Sequence, residues 1–213
     1  MIGNQRITDY IKSLEPDRSS LLTEIGLKAR KEGVPVIKEE TAAFLQTMTA
    51  AMQPHAILEI GTAVGYSTLL MAGIMPVDCH ISTIEKYEKR IPEAKRNFER
   101  AGESERITLY EGDAEAILKG LKGPFDLVFL DAAKGQYLIW LPQIIKLLRP
   151  GGMLISDNVL QDGDIVESRY AVERRNRTIH ARMREYLHEL KHRKELTTTI
   201  VPIGDGVTVS ILN

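Results

Sequence analysis

The sequence lacks several features that would place a protein outside the cytoplasm or give it a structural metal. Its one cysteine, Cys79, excludes an intrachain disulfide and a cysteine-rich zinc site. Residues 1–20 carry polar and charged side chains where a signal peptide has an apolar block, and no apolar run reaches the length of a membrane span. We therefore expect a soluble, cytoplasmic protein.

Repeats, low-complexity tracts and linkers are also missing, so we expect one domain over residues 1–213. Residues 1–53 predict a helical lead-in. From residue 56 onward, apolar runs (AILEI, HISTI, ITLY, DLVFL and MLIS) alternate with helical segments at 65–75, 88–101, 114–120 and 137–148. This alternation predicts an α/β fold, with a mostly parallel sheet covered by helices on both faces.

The C-terminal part of the chain has a different pattern. Residues 170–196 predict one long polar helix. The apolar runs TTTIVP and VTVSIL flank the turn sequence IGDG, which predicts a C-terminal antiparallel hairpin.

A glycine-bearing segment, ILEIGTAVGYST at residues 57–68, predicts a strand, a turn and a helix start. Gly61 and Gly65 allow the backbone to approach a ligand closely, and the new helix offers free N–H groups. The spacing is G-x-x-x-G, so the dinucleotide fingerprint G-x-G-x-x-G is absent. Glu59, near the end of the strand, can reach loop amides or the charged groups of a ligand. An ordinary strand–helix turn is the alternative.

Two more acids follow the next predicted strands. Glu85 ends the second strand, 24 positions after Gly61, near where an acid grips ribose hydroxyls in this topology. Asp113 follows the third strand and is suitably placed for an adenine edge, although it is also a good N-cap for the next helix. Together these strand ends predict an adenosine ligand.

The last two strand ends of the parallel series carry another set of polar groups. Asp131 ends the run FDLVFL, and Asp157 and Asn158 follow MLIS. Neighbouring parallel strands would bring two carboxylates and an amide carbonyl together, and such an all-oxygen set suits Mg²⁺. Capping of a turn and a helix by the aspartates is the alternative. Lys134 places an amine close behind Asp131, with a solvated loop lysine as the alternative.

These motifs, together with TIEK, GDA, FLDAAKGQY, SDN and the terminal PIGDGVTVS, resemble the metal-dependent class I O-methyltransferases of the catechol and caffeoyl-CoA type. The resemblance covers about residues 34–213 and is strongest to the bacterial branch that methylates the wobble uridine of tRNA. It implies a Rossmann-like class I methyltransferase fold, Mg²⁺ on Asp131, Asp157 and Asn158, and catalysis by Lys134 as general base together with Asp131. It also implies that S-adenosylmethionine is held by Ile37, Glu59, Gly61, Ser67, Glu85, Asp113, Ala114 and Asp131.

Charge is unevenly distributed along the chain, although the net charge is −1. The segment from Arg169 to Lys194 contains nine Lys or Arg against three Asp or Glu. We expect its arginines to help dock RNA by neutralising phosphates, with a solvated, internally paired helix face as the alternative. The arginines assigned to RNA binding are Arg169, Arg174, Arg175 and Arg177.

The acceptor is the main open question. Residues 160–177 directly follow the predicted metal ligands, carry four arginines balanced by four acidic residues, and are poor in aromatics, whereas a small catechol would favour an aromatic lid. We therefore expect methylation of tRNA 5-hydroxyuridine to 5-methoxyuridine, with a small catechol or caffeoyl-CoA-type acceptor as the alternative. The resemblance also implies a homodimer, for which the N-terminal helices are available.

Two functions from other classes fit the sequence less well. A non-catalytic RNA binder has no use for acids, an amide and a lysine around one crevice. The sequence HELKH at residues 188–192 fits the zinc-protease pattern H-E-x-x-H, but it lies among basic residues that would repel Zn²⁺. We expect this match to be coincidental.

Overall fold

The computed structural model describes residues 5–168 and 170–213. Over these ranges the chain forms α1 (Gln5–Leu14), α2 (Ser20–Lys31), α3 (Glu39–Met52), α4 (Tyr66–Ala72), α5 (Ile91–Ala101), α6 (Ala114–Gly120), α7 (Tyr137–Leu147) and α8 (Arg177–His192). The predicted helical lead-in is present as α1 to α3, and the Ser19 hydroxyl caps α2 by accepting a hydrogen bond from Leu22 N at 3.3 Å. None of the helices in these ranges is long and apolar enough to cross a membrane.

One sheet of seven strands forms the centre of the described chain. Its strands are β1 (Ala56–Ile60), β2 (His80–Glu85), β3 (Ile107–Glu111), β4 (Phe125–Leu130), β5 (Leu148–Ser156), β6 (Leu196–Val201) and β7 (Val207–Leu212). Their order is β3-β2-β1-β4-β5-β7-β6. The strands β1 to β5 pair in parallel, and β7 is antiparallel to both β5 and β6. The predicted fold is confirmed.

Strand β4 shows why a continuous apolar run forms a central strand here. Leu127 and Phe129 pack into a core shared with α2 to α5, whereas Val128 and Leu130 pack into a second core with α6 to α8. All four side chains are fully buried. Successive strand residues point to opposite faces, so a strand covered on both faces favours apolar side chains at consecutive positions.

The predicted long helix over residues 170–196 is wrong at its N-terminal end. Helix α8 begins at Arg177, after a short 3-10 helix at Arg174–Asn176. Val172 turns inward and is buried, and the Arg177 side chain donates to Val172 O at 3.2 Å. Helix α8 therefore begins seven residues later than predicted, and the buried Val172 lies in the non-helical segment before it. Helix α8 is also not polar all round, because one face is buried, comprising His180, Met183, Tyr186 and Leu190.

The carboxyl ends of the parallel strands are aligned by backbone hydrogen bonds just beyond the ladder. Asp131 N donates to Ile60 O at 3.0 Å, and Asp157 N donates to Leu130 O at 3.0 Å. Strand order reverses between β1 and β4, and ligands of open parallel sheets bind at such a switch point. The residues that follow β1, β4 and β5 are thereby held side by side at this edge.

Candidate active site

A cavity of about 830 Å³ opens at the carboxyl edge of the sheet. The predicted site residues on its wall are Ile37, Gly61, Ser67, Glu85, Asp113, Ala114, Asp131, Lys134 and Asn158. Two others, Glu59 and Asp157, are buried and do not line the cavity. The structure thus gathers most of the predicted set, which spans residues 37–158 of the sequence, around a single space.

The two glycines of the first loop are required by close contacts within the protein. Gly61 has φ +110°, and a Cβ at this position would lie 1.9 Å from Asp131 O. Gly65 has φ +84°, and its Cβ would lie 2.5 Å from the Phe98 ring. Gly61 therefore lets the loop after β1 lie directly against the loop that carries Asp131.

Glu59 is a positioning group beneath the cavity wall. Its carboxylate accepts hydrogen bonds from Ser67 at 2.6 Å, from Thr83 at 2.5 Å and from Thr68. Burial raises the pKa of Glu59 to about 7, against the partly compensating effect of these hydroxyl donors. Ser67 does line the cavity, so Glu59 orients a wall residue from behind.

Glu85 and Asp113 shape the far side of the cavity. Glu85 accepts hydrogen bonds from Ala63 N and Tyr87 N, both at 2.7 Å, which fixes its carboxylate at the wall. Asp113 caps α6 by accepting from Glu115 N at 2.9 Å, and its bond with Lys86 is the largest cause of its lowered pKa. The capping role predicted as an alternative for Asp113 is therefore present together with its place on the wall.

The predicted metal ligands form a connected group. Asn158 Nδ2 donates to Asp131 Oδ1 at 2.8 Å, and Asn158 N donates to Asp157 Oδ1 at 2.7 Å. Burial is the main cause that raises the pKa of both aspartates, and the charge of Asp131 raises that of Asp157 further. A buried carboxylate, Asp157, whose ionisation is opposed by the partly buried Asp131 beside it is a fitting place for a divalent cation.

Lys134 begins a short 3-10 helix directly after the loop of Asp131. It is half-buried and lines the same cavity as Asp131 and Asn158. Its positive charge lowers the pKa of both aspartates, although burial outweighs this effect. The amine thus lies at the same wall of the cavity as Asp131, with its charge felt by both carboxylates.

Tyr137 is a supporting residue that the sequence did not reveal. Its ring is fully buried, and its hydroxyl accepts a hydrogen bond from Ala132 N at 3.1 Å and lies 3.3 Å from Asp157 O. The hydroxyl therefore joins the loop after β4 to the end of β5. Trp140, one turn further along α7, is 6% exposed and lines the cavity.

A third aspartate near the metal-type group was also missed. The charge of Asp205, in the turn between β6 and β7, raises the pKa of both Asp131 and Asp157. Asp205 is paired with Lys38, which lies 167 positions earlier in the chain. The sequence GDG does indicate a turn. The place of this turn at the carboxyl edge of the sheet, however, follows only from the insertion of β7 antiparallel to β5.

The arginines assigned to RNA binding are not part of the cavity. Arg177 donates to the backbone carbonyls of Val172 and Tyr170, at 3.2 and 3.3 Å. Arg174 and Arg175 are exposed on the 3-10 helix before α8, and Arg175 pairs with Glu173 at 2.7 Å. Arg169 lies outside the described residues.

The HELKH match gains no support from the geometry. The rings of His188 and His192 stack on the exposed side of α8 with centroids 3.9 Å apart. Within residues 5–168 and 170–213, no group of three or more His, Cys, Asp or Glu side chains is arranged to hold a metal ion. The predicted metal ligands Asp131, Asp157 and Asn158 fall outside this description because one of the three is an asparagine.

The fold and the site together define a Rossmann-like transferase with a nucleoside-type crevice beside an oxygen-rich group. Comparison with known proteins gives the family: the model for the O-methyltransferase family matches residues 14–212. The chain belongs to this family. The predicted enzyme class, an S-adenosylmethionine-dependent O-methyltransferase, is thereby confirmed.

Individual relatives agree with this assignment. A catechol O-methyltransferase from Niastella koreensis is 32% identical over 169 residues, covering 76% of each chain. Caffeoyl-CoA O-methyltransferase 1 from Eucalyptus globulus is 29% identical over 208 residues, covering 92% of this chain and 81% of its own. Among solved structures, the O-methyltransferase TomG from Streptomyces achromogenes, in complex with SAM, superposes with a TM-score of 0.85 at 26% identity, covering 98% of this chain and 96% of its own.

Proposed function

We propose that this chain binds S-adenosylmethionine in the cavity and transfers its methyl group to an acceptor hydroxyl beside Asp131, Asp157 and Asn158. The observation that carries the proposal is the continuity of the wall, from the adenosine-type residues Glu85 and Asp113 to the oxygen-rich group and Lys134. Donor and acceptor can therefore occupy one space with their reacting atoms adjacent.

The residues present fit a divalent cation as a further cofactor. Asp131 and Asp157 supply carboxylate oxygens, and rotation of the Asn158 amide by half a turn exchanges its Nδ2 for its Oδ1 toward Asp131. A bound Mg²⁺ or similar ion would fix an acceptor hydroxyl and lower its pKa. The ion would also neutralise the two buried charges.

Lys134 is placed to take the proton of the acceptor hydroxyl. In the transfer, the acceptor oxygen forms a bond to the methyl carbon while the carbon–sulfur bond breaks. The electron pair of that bond stays on sulfur and leaves S-adenosylhomocysteine, and the proton passes to the uncharged amine form of Lys134. Replacing Lys134 by Met should slow transfer by a factor of roughly 10² to 10⁴ without weakening binding of S-adenosylhomocysteine, whereas the exposed Lys146→Met is the matched control.

A small hydroxylated aromatic is the acceptor that the comparisons support best. The relatives named catechol and caffeoyl-CoA O-methyltransferases match most of the chain. The sequence motifs offer this acceptor class as the alternative to tRNA, and the names of these relatives now make it the first candidate.

A tRNA acceptor, 5-hydroxyuridine at the wobble position, is the second candidate because of one surface. Tyr170 is 84% exposed, and the guanidinium of Arg177 lies 5.9 Å from its ring centroid. Arg174 and Arg175 are exposed beside them. An exposed aromatic ring among arginines offers base stacking together with phosphate contacts.

One assay tests the reaction and separates the two acceptors. Label from S-adenosylmethionine is followed into a catechol panel and into tRNA lacking wobble modification, with Mg²⁺ or with EDTA. Transfer that EDTA abolishes supports the proposal, and the labelled acceptor identifies the substrate class. If tRNA is labelled, the double variant Arg174→Glu, Arg175→Glu should lose this activity yet bind S-adenosylhomocysteine normally. Full activity in EDTA would overturn the cation's role, and no transfer to either acceptor class would overturn both proposed acceptors.

A further inference from the structure

Lys38 connects three segments that are distant in the sequence. Its ammonium donates to Asp162 Oδ1 at 2.9 Å and to Asp205 Oδ1. Asp162 lies in a kinked 3-10 segment, Gln161–Val166, that follows Asn158, and Asp205 lies in the turn between β6 and β7.

On one side, Lys38 directly continues the cavity wall formed by Pro35, Val36 and Ile37. Lys38 also occupies the N-cap position of α3, where its side chain makes no capping hydrogen bond. Ser, Thr, Asp or Asn at this position would cap the helix, which a lysine side chain cannot do. The side chain instead reaches away from its own helix, which indicates that its role lies in the two ion pairs.

On the other side, the partners of Lys38 are tied to the loop after Asn158. Val159 N donates to Gly206 O at 3.0 Å, and Leu160 N donates to Asp205 O at 2.9 Å. The turn is also pressed against α3, because a Cβ on Gly204 would lie 2.5 Å from Thr41 Oγ1. A continuous series of contacts therefore runs from residues 35–37 through Lys38 and Asp205 to the loop of Asn158.

We infer that Lys38 is a positioning residue that couples the cofactor side of the cavity to the acceptor side. This inference rests on the proposed function, since it assumes that S-adenosylmethionine or S-adenosylhomocysteine occupies the wall at residues 35–37. A ligand that orders this wall also holds Lys38 in place. Lys38 in turn fixes the turn of Asp205 and the loop that carries Asn158.

The two ion pairs are unequal. The Asp205 side chain is 17% exposed, whereas that of Asp162 is 62% exposed. Exposed ion pairs contribute little because water and salt screen them. The pair with Asp205 is therefore the one that transmits the coupling, and Asp162 adds a weaker contact at the rim.

The test is hydrogen exchange combined with calorimetric binding of S-adenosylhomocysteine. In the wild type, the ligand should slow amide exchange at residues 35–37 and also at Val159, Leu160 and Gly206, although these three do not line the cavity. Lys38→Met should lose the remote protection and bind the ligand about tenfold more weakly. Lys38→Arg should restore both, because it keeps the charge and the reach.

Lys28→Met is the matched control, since Lys28 forms an ion pair with Glu93 at 2.5 Å that joins α2 to α5 outside the cavity wall. It should leave ligand affinity and remote protection unchanged. Equal remote protection in the wild type and Lys38→Met would overturn the inference while leaving the proposed cofactor intact. A wild type that does not bind the ligand would overturn the proposed cofactor and this inference with it.

Discussion

Asp157 is the predicted metal ligand whose ionised form is most destabilised by its surroundings. Its side chain is 2% exposed, and burial together with the charge of Asp131 raises its pKa. Asp157→Asn should therefore stabilise the cation-free protein at pH 8, because it removes one of two opposed buried charges. The same change should abolish stabilisation by Mg²⁺, which for the wild type reaches about 2.7 kcal/mol at a hundred times the dissociation constant.

Thermal unfolding at pH 8 with and without Mg²⁺ measures both effects. The exposed Asp17→Asn is the control and should behave as the wild type does. A variant at Asp157 that retained the full Mg²⁺-dependent rise in melting temperature would show that the ion binds elsewhere.

Glu59 should make stability depend on pH. Its pKa is 4.5 as an ordinary glutamate and about 7 in the folded protein. The folded state therefore binds more protons between these values, and its stability falls as pH rises from about 4.5 through 7. Glu59→Gln should remove this dependence. Between pH 4 and pH 8, the free energy of unfolding of the wild type should fall by roughly 3 kcal/mol relative to that of the variant. Urea unfolding at several pH values tests this, and parallel curves for both proteins would contradict it.

The predicted residues reached the cavity for a reason that the sequence contains. Asp131, Asn158 and Glu85 each lie at the carboxyl end of a strand, and the carboxyl ends of parallel strands meet at one edge. Lys38 and Asp205 carried no such local signal. Their pairing depends on where a hairpin inserts in the sheet, which is a property of the assembled fold.

Among the elements, the loop between β1 and α4 is the one in which we expect replacement of a glycine to cost the most stability. Gly61→Ala would combine an unfavourable positive φ with a Cβ only 1.9 Å from Asp131 O. We expect a loss of about 3 kcal/mol or more and displacement of Asp131. Gly120→Ala, where a Cβ meets nothing within 4 Å, should be neutral or stabilising by up to about 1 kcal/mol. Chemical denaturation of both variants tests the difference, and equal effects would show that the contact relaxes without cost.

Prediction of the elements succeeded where burial and local pattern agree. The parallel strands carry mostly apolar runs because helices cover both faces, so their positions could be predicted from these runs. The start of α8 failed because local propensity favoured helix over residues 170–176. Burial of Val172 and the bonds from Arg177 to backbone carbonyls decided the outcome instead.

For the whole molecule, helix α1 presents an apolar face to solvent. Ile7, Tyr10, Ile11 and Leu14 are 47–65% exposed and share one side of the helix by their spacing. The homodimer expected from the sequence stays a prediction, and this face is where we expect the second copy to pack. Ile11→Asp should shift sedimentation toward the monomer, whereas Val77→Asp, at an isolated position that is 90% exposed, should not. A wild type that sediments as a monomer at micromolar concentration would contradict the expectation.

Trp140 gives the protein a built-in optical probe. It is the one tryptophan of the sequence, it lies in the cavity wall, and its indole N–H has no hydrogen-bond partner in the described structure. Emission excited at the red edge of the absorption band therefore comes from this single ring. Occupation of the cavity should alter its intensity or wavelength directly, so ligands can be titrated by fluorescence without any attached dye.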